Sequence, residues 1–170
     1  MARELVLGWL GLRPHTAAEL AAKLRRRAVD EEVGAQVLSR LSEVGLIDDQ
    51  AFATAWVDSR HAGRGLARRA LAHELRRRGV AGPIVEQAVG QLDPDTEAAT
   101  ARRLVDRRLG GLAALPRDTQ VRRLVGLLAR KGYGAATAAR VVREALEAAG
   151  SVREQEVQAL LGLEEQERDG

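Results

Sequence analysis

The apolar positions along the chain recur with a helical period of about 3.6 residues, and no long stretch alternates apolar and polar residues. Several predicted helices have clear starts: Thr16, followed three residues later by Glu19, fits a capping box, and Ser151 begins a similar pattern. The predicted helix ends are glycines that follow apolar runs: Gly45, Gly79, Gly132 and Gly150. The pattern predicts an all-α protein.

One segment recurs three times along the chain. Each copy has a leucine, a basic helix end, a tight turn and a second apolar helix, and a further helix precedes each copy. The leucines are Leu24, Leu75 and Leu128, at offsets of 51 and 53 residues. The sequence therefore predicts tandem three-helix modules at 1–47, 48–92 and 93–150, followed by an acidic C-terminal helix or tail at 151–170.

Adjacent acids at Asp48 and Asp49 raise the question of a metal or acid/base site. With Asp48 as the N-cap, Ile47 and Phe52 occupy the two positions of a hydrophobic staple, and Asp49 starts the helix. Neighbouring helical side chains point about 100° apart, so the two carboxylates do not converge on one ion. We predict a helix start rather than a site.

The sequence shows no arrangement of residues that indicates catalysis. Cysteine is absent, and His15, His61 and His73 lack the spacing of a helical metal pair. No phosphate-binding loop or catalytic constellation is recognisable. We predict no enzymatic activity, no cofactor and no metal. Since no 18-residue apolar stretch or signal peptide is found, we expect a soluble, cytoplasmic protein without a membrane contact.

Positive charge is concentrated in parts of the chain. Positions 60–80 hold seven arginines and one glutamate, and positions 101–131 hold nine basic and two acidic residues. Such a surface fits nucleic-acid phosphates or acidic protein patches, although a solvated helix surface in an arginine-rich chain is the plain alternative. Aromatic residues are only 2% of the chain, which argues against a base-stacking platform.

The span from Thr16 to Val89 resembles the bacterial RecX family of recombination regulators. The stretches that carry the resemblance are Ala18-Glu19-Leu20, Lys23-Leu24, Val37-Leu38 with Leu41, Gly45-Leu46-Ile47-Asp48-Asp49, Phe52-Ala53 with Trp56, Arg60, Arg68-Arg69-Ala70-Leu71, Glu74-Leu75 and Gly79-Val80. The third module fits the family's looser C-terminal pattern. Ala28 stands where family members usually have glycine, which predicts a differently shaped turn there.

The resemblance implies an all-helical protein of three-helix repeats in an elongated, curved array. It implies binding to the RecA recombinase, chiefly to its filament on single-stranded DNA, with inhibition of ATP hydrolysis, strand exchange and co-protease activity. It also implies no catalysis and no cofactor. We expect a monomer that regulates recombination, DNA repair and the SOS response, with at most weak direct contact with DNA.

Charge and helical face, rather than the family motif, select the residues expected to contact the partner. They are Arg60, Arg64, Arg68, Arg69, Arg76 and Arg77 in the second module, and Arg25, Arg26, Arg130 and Lys131 in the other modules. Two rival hypotheses stay open at this point. The protein could bind DNA directly through basic helical faces, or it could be an interaction scaffold for an unrelated acidic partner.

Overall fold

The computed structural model describes the backbone of residues 1–168 and the side chains of residues 1–152 and 155. All secondary structure in this part of the chain is helical. The helices are α1 Ala2–Leu12, α2 Ala17–Arg26, α3 Glu31–Glu43, α4 Asp49–Arg64, α5 Arg68–Arg77, α6 Gly82–Gly90, α7 Pro94–Leu109, α8 Arg117–Arg130 and α9 Ala135–Arg168, with a 3₁₀ turn at Gly110–Leu112. The all-α prediction is confirmed.

The chain divides into two compact units, Met1–Pro94 and Asp95–Gly170. The first unit contains α1–α6 as two successive three-helix sets. In the first set α3 packs against α1 and α2, and in the second set α4, α5 and α6 pack against one another. In the second unit α8 packs against α9. This is a helical repeat fold, and the numerical boundaries of the three modules stay a prediction.

Two hydrophobic clusters hold the first unit together. The amphipathic faces of its helices supply them, because apolar residues three and four positions apart lie on one side of a helix. The cluster of the first three helices contains Val6, Leu20, Leu24, Leu41 and Ile47. The cluster of the next three contains Phe52, Val57, Leu71, Leu75, Val80, Val85 and Ala88, among others. Full burial of one such leucine or valine contributes roughly 1.5–3 kcal/mol.

The second unit has its own buried residues on α7, α8 and α9. Leu124 and Leu128 of α8 are fully buried, as are Val105 of α7 and Val142 of α9. Tyr133, in the turn between α8 and α9, is 3% exposed. Burial raises the pKa of Tyr133 to about 12; the nearby Glu97 carboxylate adds to the rise and Arg103 opposes it.

The predicted repeat is visible in the backbone of the three basic turns. Ala28, Gly79 and Gly132 each have a positive φ, of 55°, 79° and 90° respectively. The next residue after each donates its N–H to the carbonyl of the repeated leucine, at Leu24, Leu75 and Leu128. This is the hydrogen-bond pattern of a Schellman helix end. The expectation of a different turn at Ala28 is wrong, because alanine accepts the left-handed conformation here at a cost in energy.

The predicted helix end at Gly150 is also wrong. Helix α9 runs without a break from Ala135 to Arg168, so Gly150 and Ser151 lie inside it. The Ser151 hydroxyl donates to the Glu147 carbonyl at 3.1 Å, one turn earlier, instead of capping a new helix. Glu154, which follows Ser151 by three residues and would complete its predicted capping box, lies outside the described side chains. A mid-helix glycine costs about 1 kcal/mol relative to alanine, which the flanking helix-forming residues can offset.

Contacts between the first and second three-helix sets explain the adjacent aspartates. Asp48 caps α4 by accepting the Ala51 N–H at 2.9 Å, as predicted. Asp49, at the first position of α4, accepts the Ala17 N–H at 2.9 Å and so also satisfies the first turn of α2. The two carboxylates thus serve two different helix starts.

The start of α2 is held by the second set through side chains as well. The Thr16 hydroxyl accepts the Glu19 N–H at 3.1 Å, as the capping box requires, and donates to the Arg78 carbonyl at 2.6 Å. The capping box also predicts that the Glu19 carboxylate reaches back to Thr16, and this is wrong. The carboxylate instead pairs with the guanidinium of Arg78 and with His15. A charged partner from another helix outcompetes the local amide donor.

Candidate partner-binding surface

Helix α5 carries three exposed arginines. Its buried side, with Leu71 and Leu75, faces the hydrophobic cluster. Arg69, Arg76 and Arg77 are exposed, and none of them pairs with a described side chain. Residues 69 and 76 lie seven positions apart, or about two turns, on one face of the helix. We call these three side chains the α5 arginine face.

The other arginines predicted on this module are engaged within the protein. The Arg60 guanidinium lies 4.2 Å from the centre of the Trp56 ring, and Arg64 forms an ion pair with Glu74 at 3.8 Å. Arg68 is half-buried and donates to the Leu92 carbonyl, which ties the start of α5 to the end of α6. Arg68 therefore has a structural contact, and it does not join the α5 arginine face.

The remaining predicted residues lie at equivalent helix ends. Arg25 and Arg26 are exposed in the last turn of α2, and Arg130 is exposed at the end of α8. Lys131, which follows α8, is half-buried. In the first unit, the structure brings Arg60 and Arg64 to the same end of α4, whereas Arg25 and Arg26 belong to the separate helix α2. Cations in a last helical turn also complement the helix dipole.

Trp56 is a central residue of the second set that the sequence did not predict as a contact residue. Its ring stacks on Phe52, with 5.7 Å between ring centres and 15° between planes. Its indole N–H donates to Glu74 at 2.9 Å, and both Arg60 and Arg78 place guanidinium groups over the ring. The spacing of Phe52 and Trp56, four residues apart in a chain poor in aromatics, was the available signal.

An apolar groove lies beside Trp56 in the first unit. It has a volume of about 510 Å³ and is lined mainly by carbon atoms from α1, the α3–α4 turn and α4. Leu10, Leu46 and Phe52 contribute to it, with Arg13 and Arg60 among its charged lining residues. Leu46 is 52% exposed. The groove therefore gives the first unit an apolar surface next to arginine side chains.

A buried polar group adjoins this groove. The side chain of His15 contacts Glu19 through Nδ1 at 3.1 Å and Lys23 through Nε2 at 3.2 Å. Burial lowers the pKa of His15, and Arg13 and Lys23 lower it further, against the opposing effect of Glu19. Neutral His15 then donates to Glu19 and accepts from Lys23. Burial alone would raise the pKa of Glu19, but its hydrogen bond with His15 and the charges of Arg78 and Arg13 lower it.

The described residues contain no cluster of three or more side chains typical of a metal site. No group of three or more histidine, aspartate or glutamate side chains within this part of the chain is placed to share a metal ion. Asp48 and Asp49, the original candidates, bind backbone amides of two helices. Among the helices of residues 1–168, none has an apolar run long enough to cross a bilayer.

Family models match both sets of the first unit. Residues 2–41 match the first three-helix domain of RecX, and residues 48–89 match the second three-helix domain of RecX. These ranges correspond to α1–α3 up to Leu41 and to α4–α6.

Related proteins cover most of the chain. A regulatory protein RecX from Thermobifida fusca is 56% identical over 149 residues, which are 88% of this chain and 80% of that protein. A regulatory protein RecX from Mycolicibacterium smegmatis is 46% identical over 145 residues, covering 83% and 77% of the two chains. Both are described as regulatory proteins.

The fold is similar to solved structures. The crystal structure of RecX from Lactobacillus salivarius superposes with a TM-score of 0.80 over 85% of this chain and 94% of that one, at 17% identity. A second crystal structure, of a regulatory protein RecX, gives a TM-score of 0.73 at 22% identity over 80% and 67% of the chains. At these identities the likeness concerns the fold. The matched domains and the closely similar relatives together show that the chain belongs to the RecX family of regulatory proteins.

Proposed function

We propose that this protein binds the RecA recombinase assembled on single-stranded DNA and inhibits its ATP hydrolysis, strand exchange and co-protease activity. It would thereby regulate recombination, DNA repair and the SOS response in the cytoplasm. It acts by occupying a surface of the filament, without catalysis and without a cofactor. Membership of a family of regulatory proteins supports this proposal.

The observation that carries the proposal furthest is the α5 arginine face. Arg69, Arg76 and Arg77 are exposed on a helix whose other side is fixed in the core, so their positions are set by the fold. With no carboxylate of the described residues paired to them, their charge is available to an acidic partner. Arg25 and Arg26 at the end of α2, and Arg130 and Lys131 at the end of α8, would extend the contact.

The apolar groove favours a protein partner for the first unit. Protein interfaces are enriched in aromatic and arginine side chains around an apolar centre, as in the arrangement of Phe52, Trp56 and Arg60. A surface that bound only DNA phosphates would gain little from such a groove.

Charge reversal on α5 tests the proposal. In Arg69→Glu/Arg76→Glu, we expect inhibition of DNA-dependent ATP hydrolysis by the recombinase to fall by at least about tenfold in potency, because like charges across an interface repel. The helix should persist, since both side chains are exposed. Circular dichroism and thermal unfolding would establish this before the inhibition curve is measured.

The matched control is Arg3→Glu/Arg117→Glu, which changes the net charge by the same amount. Both residues are exposed in the first turn of a helix, where glutamate suits the helix dipole. This variant should inhibit like the unmodified protein. Full inhibition by a folded Arg69→Glu/Arg76→Glu variant, or equal loss in the control, would contradict the assignment of the α5 arginine face.

A further inference from the structure

A cluster of charged side chains joins the two three-helix sets of the first unit. Its members contact one another through His15 and Glu19, and they are Arg13, His15, Glu19, Lys23 and Arg78. The first four lie in α2 or the turn before it, whereas Arg78 follows α5 in the second set. We call them the His15 cluster. We propose that this cluster is a pH-sensitive switch, in which protonation of His15 loosens the joint between the two sets.

The surroundings of His15 fit a neutral imidazole. The residue is 3% exposed. Its Nδ1 atom lies 3.1 Å from a carboxylate oxygen of Glu19, and its Nε2 atom lies 3.2 Å from Nζ of Lys23. An ammonium group can only donate hydrogen bonds, so Nε2 accepts from Lys23 and the ring proton is on Nδ1. The contact with Lys23 therefore leaves no acceptor at Nε2 for a second ring proton.

Protonation of His15 adds a positive charge where positive charge already predominates. The new Nε2–H would point at the Lys23 ammonium group, which brings two donors and two cations together. Glu19 is the only anionic member of the cluster, and it already pairs with Arg13 at 3.3 Å and with Arg78. Like charges in a poorly hydrated site repel more strongly than in water. The lowered pKa of His15, caused mainly by burial and increased by Arg13 and Lys23 against Glu19, agrees with this geometry.

Two charged side chains from α4 and the turn before it share the apolar groove with His15 but are engaged elsewhere. They are Asp48, which accepts a backbone N–H at the start of α4, and Arg60, whose guanidinium lies over an indole ring. Lys23 is held from the side of α1, since its Nζ lies 4.8 Å from the centre of the Trp9 ring. Protonated His15 therefore gains no new carboxylate from these elements and still meets the Lys23 ammonium group.

The joint between the two sets begins directly after His15. The Thr16 hydroxyl donates to the Arg78 carbonyl at 2.6 Å, and the Ala17 N–H donates to Asp49 at 2.9 Å. The Arg78 guanidinium is also the group that pairs with the carboxylate of the cluster. Protonated His15 competes with Arg78 for that carboxylate, so the ion pair and the two neighbouring hydrogen bonds weaken together.

The switch closes at neutral pH and opens in mild acid. His15 in the closed joint has a pKa below its ordinary value of 6.5. Its stabilising contribution is therefore complete above about pH 6.5 and is lost as the pH falls through the lower value of the folded protein. The two sets would then be held by fewer contacts while the hydrophobic cluster of each set remains intact.

The test follows the distance between the two sets in the full-length protein. The chain has no cysteine, so spin labels at Ala35→Cys of α3 and Gln87→Cys of α6 are specific, and both positions are exposed. Electron–electron double resonance gives the distribution of distances between the labels at about pH 7.5 and about pH 5. We expect the distribution to be at least about 1.5 times as wide at the lower pH, because open and closed joints are then both present. Circular dichroism should show the same helix content at both pH values.

Replacing the titratable group should remove the pH response. His15→Gln keeps one donor and one acceptor but gains no proton, so its distribution should stay narrow at both pH values. The matched control is His73→Gln on α5, where the imidazole is exposed and lies outside the His15 cluster. This control should widen in acid like the labelled parent protein.

Lys23→Met is a second test that decides the matter if glutamine at position 15 itself widens the distribution at neutral pH. It removes the cation opposite Nε2, so the joint tolerates protonated His15 and the widening in acid should shrink by at least about half. The proposal is overturned if the labelled parent protein gives the same distribution at both pH values. It is also overturned if either His15→Gln or Lys23→Met widens in acid as much as His73→Gln. No recombinase is present, so each result is independent of the proposed inhibition.

Discussion

At the scale of single residues, side chains that cap one helix also connect it to another. Asp49 begins α4 yet accepts the Ala17 N–H of α2, and Thr16 caps α2 while donating to the Arg78 carbonyl that follows α5. Each buried backbone group that finds a partner avoids a desolvation cost of about 1–3 kcal/mol. The link between the two three-helix sets is therefore made largely of cap residues.

The left-handed turns at Ala28 and Gly79 predict opposite changes in stability when alanine and glycine are exchanged. Ala28→Gly should stabilise the protein by roughly 0.5–1 kcal/mol, because glycine adopts a positive φ without steric cost. Gly79→Ala should destabilise it by at least about 2 kcal/mol, since its Cβ would lie 2.3 Å from the Ala18 Cβ in addition to the backbone strain. Urea denaturation measures both. A destabilising Ala28→Gly would contradict the account of this turn.

Tyr133 provides a titration with an unambiguous origin, because it is the single tyrosine of the chain. Burial raises its pKa to about 12, so the folded state favours the neutral phenol. This contribution to stability is complete below the ordinary pKa of about 10 and is lost as the pH rises through the folded value. Ultraviolet absorbance should show phenolate only well above pH 10 while circular dichroism remains helical. Phenolate formation near pH 10 in the folded protein would contradict the buried position.

At the scale of helices, the sequence was most informative where the signal is local. The apolar stripe of α5, the Asp48 cap, and the turns after Leu24, Leu75 and Leu128 depend on neighbours in the chain. Such features follow from helical geometry and capping chemistry.

Features that depend on contacts with another helix could not be predicted from the local sequence. Arg68 was predicted on the exposed face, but the Leu92 carbonyl of a later segment draws it inward. Glu19 was predicted to complete a local capping box, but Arg78 supplies a stronger charged partner. Gly150 and Ser151 gave local signals of a helix boundary, yet α9 continues through both.

At the scale of the whole molecule, the arginines fall into two groups, those engaged within the protein and those left exposed. The number of charges along the sequence does not distinguish the two groups. Arg60, Arg64, Arg68 and Arg78 are engaged with Trp56, glutamates or a backbone carbonyl inside the first unit. The α5 arginine face leaves its guanidinium groups exposed. We propose this face as the recombinase contact, which Arg130 and Lys131 of the second unit would extend.

The central proposal is tested most directly by ATP hydrolysis of the cognate RecA, assembled beforehand on single-stranded DNA, as this protein is added below equimolar amounts. If this protein regulates the filament, the rate of ATP hydrolysis should fall. RecA should not leave the DNA before that rate declines. The amount needed would distinguish blocking of filament ends from occupancy along the filament. An unchanged rate at saturating amounts of folded protein would contradict the proposed inhibition.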